Sequence, residues 1–114
     1  MPRPGDHLFV CVSQYLRPLE ELDEYSAAHL EWLSELDRAG RIVATGAQEP
    51  PIGGVMVLAA RDKAEVRAWL STDPFQMNHC AAYHLHEFKL NPDPHQGRLM
   101  QHFFSQAFAA ETRC

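Results

Sequence analysis

The sequence predicts an α+β fold of the ferredoxin-like type, an antiparallel sheet with both helices on one face. Two observations carry this prediction. Strand-like and helix-like segments follow one another in the order βαββαβ, which is the order of the split βαβ arrangement. The 114 residues, 46% hydrophobic and 22% charged, also have the size and composition of a single soluble globular domain.

The first strand and the first helix have the clearest patterns. Residues 7–15 are rich in β-branched and aromatic side chains, which favours a strand. Leu19 to Arg38 is predicted to be a helix, with Pro18 at its start and Gly40 past its end. The apolar residues that recur at helical spacing predict the face that packs on the sheet: Leu22, Tyr25, Leu33 and Leu36.

Two more strands, a second helix and a fourth strand follow. Residues 41–48 and 55–60 are predicted strands, joined by a segment that contains prolines and glycines. Asp62 can cap a helix over residues 63–70, whose apolar side chains share one face. Residues 83–90 are predicted to form the fourth strand.

Two of the predicted strands are apolar on both faces. An antiparallel sheet with one face in water should alternate apolar and polar residues, but LFVCV at 8–12 and VMVLAA at 55–60 do not alternate. The chain supplies helices for one face only, and a second copy packed sheet against sheet is the simplest cover for the other. The sequence therefore predicts a homodimer.

Residues 1–90 are predicted to form this domain, and residues 91–114 a C-terminal extension of it. The prolines within residues 91–95 indicate a linker or a turn. Residues 98–110 have apolar side chains at helical spacing. We expect an amphipathic helix there, which packs on its own domain or on a partner subunit and supports a higher oligomer in the second case.

Charge and composition exclude several classes of partner. A net charge of −5 argues against a nucleic-acid binder, which needs a basic face. No apolar run is long enough to span a membrane. The cysteines are far apart and no signal peptide is recognisable, which favours reduced thiols in the cytoplasm, with Cys11 and Cys80 as buried apolar residues rather than nucleophiles. The expected partners are a second copy and a small molecule.

His29 is the first candidate for chemistry, because it lies on the apolar stripe of the first helix and so faces the sheet. It is either a core histidine satisfied by one hydrogen bond or a general acid or base that lines a pocket. Asp73, in the segment WLSTDPFQMN at residues 69–78, can approach it from the end of the second helix. A carboxylate bonded to one ring nitrogen makes the other a better base. An Asp before Pro is also an ordinary turn opener, so a purely structural Asp73 stays open.

Four short motifs extend this pattern: HLEWL at 29–33, AGRIVATGA at 39–47, GGV at 53–55 and STDPF at 71–75. In their order and spacing the chain resembles the YciI-like (YCII-related) family, from the first strand to about Leu90. The resemblance implies a dimeric α/β barrel, similar in fold to muconolactone isomerases, in which His29 and Asp73 form a catalytic pair. It also implies activity on intermediates of aromatic or chloroaromatic breakdown, as in the few members with an assigned activity.

The resemblance also bears on substrate binding. Many relatives have Arg three residues before the helix His, whereas this chain has Ser26, which argues against an anionic substrate. Ser26, Phe75 and Gly46 are the expected substrate-binding residues. Phe75 would supply an apolar wall, and Gly46, with Gly53 and Gly54, would permit tight strand ends or close backbone approach at the pocket.

A metal site is the main competing interpretation. His84 and His86 lie two apart on the fourth predicted strand, project from one face and could bind a metal together with His79, His29 or a carboxylate. The charged residues that follow them indicate a strand close to solvent, which favours a surface pair. We therefore expect no metal and no other cofactor.

The sequence leaves two functions open. The first is a cofactor-independent enzyme, a lyase or an isomerase, in which His29 and Asp73 perform acid/base chemistry on a small cyclic or aromatic-derived metabolite. The reaction would be an isomerisation, or an elimination such as dehalogenation. The alternative is a non-catalytic small-ligand-binding or assembly protein with the same dimeric fold.

Overall fold

Strands and helices follow one another in the order βαββααβ in the described part of the chain, residues 5–92 and 95–100 of a computed structural model. In chain order they are β1 (His7–Tyr15), α1 (Leu19–Arg38), β2 (Ile42–Ala47), β3 (Gly54–Ala60), α2 (Lys63–Leu70), α3 (Pro74–Met77) and β4 (Ala81–Phe88). The predicted bounds of β1, α1 and α2 are confirmed, and those of β2 and β3 differ by one residue. β4 begins and ends two residues before its prediction, and the one-turn helix α3 was not predicted.

The strands form one antiparallel sheet in the order β2-β3-β1-β4, which confirms the ferredoxin-like α+β fold. Cys11 of β1 lies opposite Met56 of β3 on one side and Leu85 of β4 on the other. Helices α1 and α2 pack on this face of the sheet. The hydrophobic core between the helices and the sheet consists of Phe9, Cys11, Trp32, Leu36, Met56, Leu58, Ala60, Val66 and Leu70.

The ends of the helices follow their sequence signals. Gly40, just past α1, has a φ of 75°, a left-handed conformation that glycine adopts at little cost, so α1 ends there. Asp62 caps α2, because its carboxylate accepts a hydrogen bond of 2.9 Å from the backbone N–H of Glu65. The predicted apolar stripe of α1 faces the sheet, with His29 on it.

The opposite face of the sheet carries Val10 and Val12 of β1 beside Val57 and Val55 of β3, and all four side chains are half-buried. His84 and His86 of β4 extend this face and are exposed. We call this surface the valine face, and it consists of Val10, Val12, Val55, Val57, His84 and His86. Side chains alternate across a strand, so none of these six packs under the helices.

The predicted C-terminal helix over residues 98–110 lies outside the described residues, apart from residues 98–100, which are helical. The division into a domain at 1–90 and an extension at 91–114 therefore stays a prediction. None of the helices in the described ranges combines the length and the apolar composition that crossing a membrane requires.

Candidate active site

A pocket of about 390 Å³ lies between α1 and the sheet. Side chains and backbone from α1, α3 and all four strands line it, and its walls are mainly apolar. His29 of α1 is part of this lining. Among the described residues that line the pocket there is no Asp, Glu, Lys or Arg. The imidazole of His29 is therefore the side chain best suited to proton transfer in this pocket.

His29 and Asp73 are in contact, as the topology predicted. Nδ1 of His29 lies 2.7 Å from Oδ1 of Asp73, across 44 residues of sequence. Asp73 is 0% exposed, whereas the His29 side chain retains 17% exposure on the pocket side. An ionised carboxylate only accepts hydrogen bonds, so Nδ1 carries the proton and Nε2 is the basic nitrogen. Nε2 makes no hydrogen bond to any residue in the described part of the chain. The catalytic role of the pair is not tested by this contact and stays a prediction.

Asp73 also begins the helix α3. Its Oδ1 accepts a second hydrogen bond, of 3.1 Å, from the backbone N–H of Phe75, which makes Asp73 the N-cap. Pro74 occupies the first helical position, where its missing N–H costs nothing. The segment predicted to be a loop thus contains a helical turn that the Asp–Pro pair sets up. The structural and the functional interpretations of Asp73 use the same oxygen atom.

Phe75 packs flat against His29. The two ring centroids are 4.1 Å apart and the planes differ by 8°. Phe75 is itself held by Tyr15, whose ring meets it edge-on at 6.2 Å, and its carbonyl accepts a 2.7 Å hydrogen bond from the N–H of Cys80. The predicted apolar wall is therefore present, and it fixes the plane of the imidazole as well as lining the pocket.

Trp32 explains why the loop after α2 reaches His29. Its indole N–H lies 3.1 Å from the carbonyl oxygen of Trp69 and 3.0 Å from the hydroxyl of Thr72, so α1 holds the end of α2 directly. The Trp32 ring also neighbours the His29 ring, at 5.8 Å between centroids. Asp73 is the next residue after Thr72, so the hydrogen bonds of Trp32 hold the Asp73 carboxylate close to the imidazole.

Tyr83 of β4 is a site residue that the sequence interpretation missed. Its hydroxyl donates a 2.5 Å hydrogen bond to Oδ2 of Asp73, the oxygen that His29 does not use. Burial, and then the nearby Asp73 charge, raise the pKa of Tyr83, so the phenol keeps its proton and acts as the donor. The signal was the strand register, since Tyr83 lies opposite Ser13 on the helix-covered face, but register is not readable from one strand alone.

The other predicted binding residues line the pocket with less specific roles. Ser26 donates to the carbonyl of Leu22 one turn earlier, at 3.1 Å, and lines the pocket. Gly46 also lines it, but a Cβ at Gly46 would meet nothing within 4 Å. No neighbouring group within the described residues therefore requires glycine at position 46, and a part for Gly46 in substrate binding stays a prediction.

Close approach does require glycine at position 53. A Cβ on Gly53 would lie 1.8 Å from the backbone oxygen of Ser13. The same oxygen accepts a 2.7 Å hydrogen bond from the amide of Gln48, and the hydroxyl of Ser13 accepts one of 2.8 Å from the N–H of Gly54. These contacts lock the start of β3 to β1 at one end of the pocket.

The competing sites are separate from this pocket. His84 and His86 lie on the valine face, away from His29. No group of three or more potential metal ligands comes together within the described ranges. Cys11 and Cys80 are buried, as predicted, and burial raises the pKa of the Cys11 thiol to about 12, so it stays protonated and unreactive at neutral pH.

Comparison with known proteins gives a family and a structural neighbour. The family model described as the YCII-related domain matches residues 7–89. A solved structure of 5-chloro-2-hydroxyhydroquinone dehydrochlorinase from Burkholderia phenoliruptrix, in complex with 2,5-dihydroxybenzoquinone, is similar with a TM-score of 0.62 and 23% sequence identity. The match covers 74% of this chain and 95% of that one, and at this identity it shows the fold. No curated protein matches the sequence.

Proposed function

Since the chain belongs to the YCII-related domain family, we propose that it is a cofactor-independent enzyme in which His29 is a general base and Asp73 its orienting partner. The observation that carries the proposal is the 2.7 Å contact between Nδ1 of His29 and the buried carboxylate of Asp73, beside a pocket that the imidazole lines. A pure assembly protein would not need such a cavity, and a core histidine would not need to line one.

The geometry supports proton abstraction. Nε2 takes a proton from a substrate hydroxyl, or from a carbon next to a carbonyl, and the Asp73 carboxylate stabilises the imidazolium that forms. The electron pair left behind forms a C=O or C=C bond. Where chloride is the leaving group, it departs from the keto tautomer of the ring, in which the carbon that bears chlorine also carries a proton. The electron pair left by the hydroxyl proton forms a C=O bond and shifts through the ring, the C–Cl bond breaks and chloride takes its electrons, so the net reaction is loss of HCl. Without a leaving group, return of the proton to another carbon gives an isomerisation.

The walls favour a small neutral ring as substrate. A volume of about 390 Å³ suits a single ring with substituents. Thr45 offers a hydroxyl for hydrogen bonds to ring oxygens, and the hydroxyl oxygens of Ser13 and Ser26 can accept from ring hydroxyls. The charge-free walls provide no cation for a carboxylate. The neighbour acts on a chlorinated hydroxyhydroquinone. We propose the class of hydroxylated or quinone-like rings, with or without chlorine, for this chain.

The direct test is a substrate panel with a variant of the base. Purified protein is incubated with chlorinated hydroxyhydroquinones and their chlorine-free analogues, and chloride release and the ultraviolet spectrum are followed. Asp73→Asn keeps the size of the side chain but removes its charge, and His29→Asn replaces the imidazole with a smaller amide that has no basic nitrogen. We expect rates to fall about 100-fold or more for His29→Asn, since general base catalysis contributes roughly that much.

The matched control is His79→Asn. His79 is exposed and has a φ of 56°, a conformation that Asn tolerates well, so this variant loses an imidazole without disturbing the pocket. Turnover by His29→Asn at the rate of His79→Asn would overturn the proposal. Ligand binding without turnover, unchanged in His29→Asn, would favour the alternative of a small-ligand-binding module.

We also propose that the chain forms a homodimer through the valine face and acts in the cytoplasm. Four half-buried valines on neighbouring strands form an apolar patch that helices α1 and α2 do not cover. A second copy would cover this patch with its own identical patch about a two-fold axis. The unpaired, buried thiols of Cys11 and Cys80 support the cytoplasmic location.

A further inference from the structure

The carboxylate of Asp73 is fully enclosed, and each of its oxygens has a separate task. Oδ1 accepts from His29 and from the backbone N–H of Phe75. Oδ2 accepts from the hydroxyl of Tyr83, and no other donor to it is found in residues 5–92 and 95–100. Removal of the Tyr83 hydroxyl would therefore leave a buried carboxylate oxygen without a partner, which is costly in a protein interior.

We propose that Tyr83 is a positioning residue for the base, holding the Asp73 carboxylate in the rotation that presents Oδ1 to His29 and moderating the pull of its charge on the imidazole. This inference rests on the proposed function of His29 and deepens it. Tyr83 comes from β4, whereas His29 and Asp73 come from α1 and the start of α3. Hydrogen bonds among the three residues thus connect β4 of the sheet with helices α1 and α3.

The direction of the effect follows from the charges. A hydrogen bond from Tyr83 spreads the negative charge of the carboxylate, which weakens its attraction for the imidazolium. Without that bond the charge is less compensated, so the protonated form of His29 is favoured and the base becomes unavailable up to a higher pH. Among the described residues, the other titratable side chains that line the pocket or pack beside Phe75 are Tyr15 of β1, Tyr25 of α1 and the buried Cys80.

The test compares two changes at Tyr83 that have opposite effects on its hydroxyl. Tyr83→Phe removes the donor, and 3-fluorotyrosine introduced at position 83 is a more acidic phenol and a stronger donor. The protonation of His29 is followed by NMR of the imidazole across pH, without substrate. We expect the midpoint to move upward in Tyr83→Phe and downward in the fluorinated protein, with kcat at neutral pH about tenfold lower in Tyr83→Phe.

The matched control is Tyr15→Phe. Tyr15 lines the same pocket and packs on Phe75, but its hydroxyl makes no hydrogen bond to Asp73. Its loss should leave the His29 midpoint unchanged, whatever it does to turnover. Circular dichroism verifies folding of each variant, and the fluorinated protein, which keeps the hydroxyl, tests the inference even where Tyr83→Phe does not fold.

The outcomes separate this inference from the proposed function. An equal midpoint in all proteins, or shifts of the same sign for both changes at Tyr83, would overturn the role of Tyr83 even where turnover depends on His29. Opposite shifts in a protein that turns over none of the panel would support the positioning by Tyr83 and count against the proposed chemistry only.

Discussion

At the scale of single residues, one side chain at the site meets both a folding and a chemical requirement. Asp73 caps α3 through the N–H of Phe75 and holds the proton of His29 Nδ1 with the same oxygen. A cap restricts a carboxylate to one rotation, and that rotation is the one an orienting partner of an imidazole needs. The Asp–Pro–Phe order therefore provides the cap, the first helical residue and the ring that packs on His29.

The glycines near the pocket allow a sharp comparison at the same scale. Gly53→Ala places a Cβ on a backbone oxygen of β1, which only a backbone shift can relieve. We expect a loss of about 3 kcal/mol or more in the free energy of unfolding. Gly46→Ala enters open space in a strand, so its free energy of unfolding should be unchanged or higher by up to about 1 kcal/mol.

Urea unfolding of the two variants beside the parent protein measures this difference. Equal stability of Gly53→Ala and the parent would contradict the tight packing of β3 against Ser13. Because Gly46 lines the pocket, its alanine variant also reports on ligand fit: a weaker affinity with unchanged stability would assign Gly46 to substrate binding.

At the scale of elements, the site depends on how α1 and the end of α2 are tied together. The indole N–H of Trp32 contacts the backbone of Trp69 and the hydroxyl of Thr72, immediately before Asp73. α3 is a single turn, and a helix of this length is not stable by itself. Its position must come from such tertiary contacts, together with the packing of Phe75, Leu22 and Cys80.

Trp32→Phe tests this tie, since it keeps an aromatic ring but removes the N–H donor. We expect the amides of α3 to exchange about tenfold faster with solvent, because each loss of about 1.4 kcal/mol in local stability gives that factor. Trp69→Phe is the control, because it makes the same change from indole to phenyl ring. Only the backbone carbonyl of Trp69 accepts the hydrogen bond from Trp32, so this contact is kept. Hydrogen exchange followed by NMR resolves the two, and equal protection of α3 in both variants would count against the anchor.

The elements also show which features the sequence could predict. The bounds of α1 were predictable because an apolar period, Pro18 and Gly40 all agree on them. α3 was missed because one turn has no period, and Asp–Pro alone also fits a simple turn. β4 begins earlier than predicted because Ala81 pairs with Tyr15. This pairing is a tertiary contact, and the weak strand propensity of alanine gives no sign of it in the sequence.

The site divides in the same way. The approach of Asp73 to His29 was predictable from helix periodicity and topology, because both ends of the contact lie on the helix-covered face. The contact of Tyr83 with Asp73 was not predictable, since it depends on the register of β4 against β1. Register follows from the whole sheet, so a third member of a hydrogen-bonded row is visible only once the strands are paired.

At the scale of the whole molecule, the uneven cover of the sheet is the main feature. One face is sealed by α1 and α2, while Val10 lies beside Val57 on the other face and Val12 beside Val55. Paired valines on two central strands form a continuous apolar strip, and such strips on soluble proteins commonly mark an interface. The strand that carries Val55 thus borders the valine face on one side and the pocket on the other.

The homodimer can be tested with a charge at the centre of the valine face. By two-fold symmetry Val10→Asp would place two carboxylates in the interface. Even with His86 beside each of them, burial of a carboxylate costs several kcal/mol, which exceeds what a small dimer can absorb. We expect the mass measured by light scattering to fall from twice the 12.9 kDa of one chain to a single chain. Ala64→Asp, exposed in the first turn of α2 where a negative charge is favourable, adds the same charge elsewhere and should leave the dimer intact.

A parent protein that is monomeric at micromolar concentration, or a Val10→Asp variant that stays dimeric, would show that the valine face is not the interface. Loss of activity in a folded Val10→Asp monomer would further indicate that the site depends on the dimer.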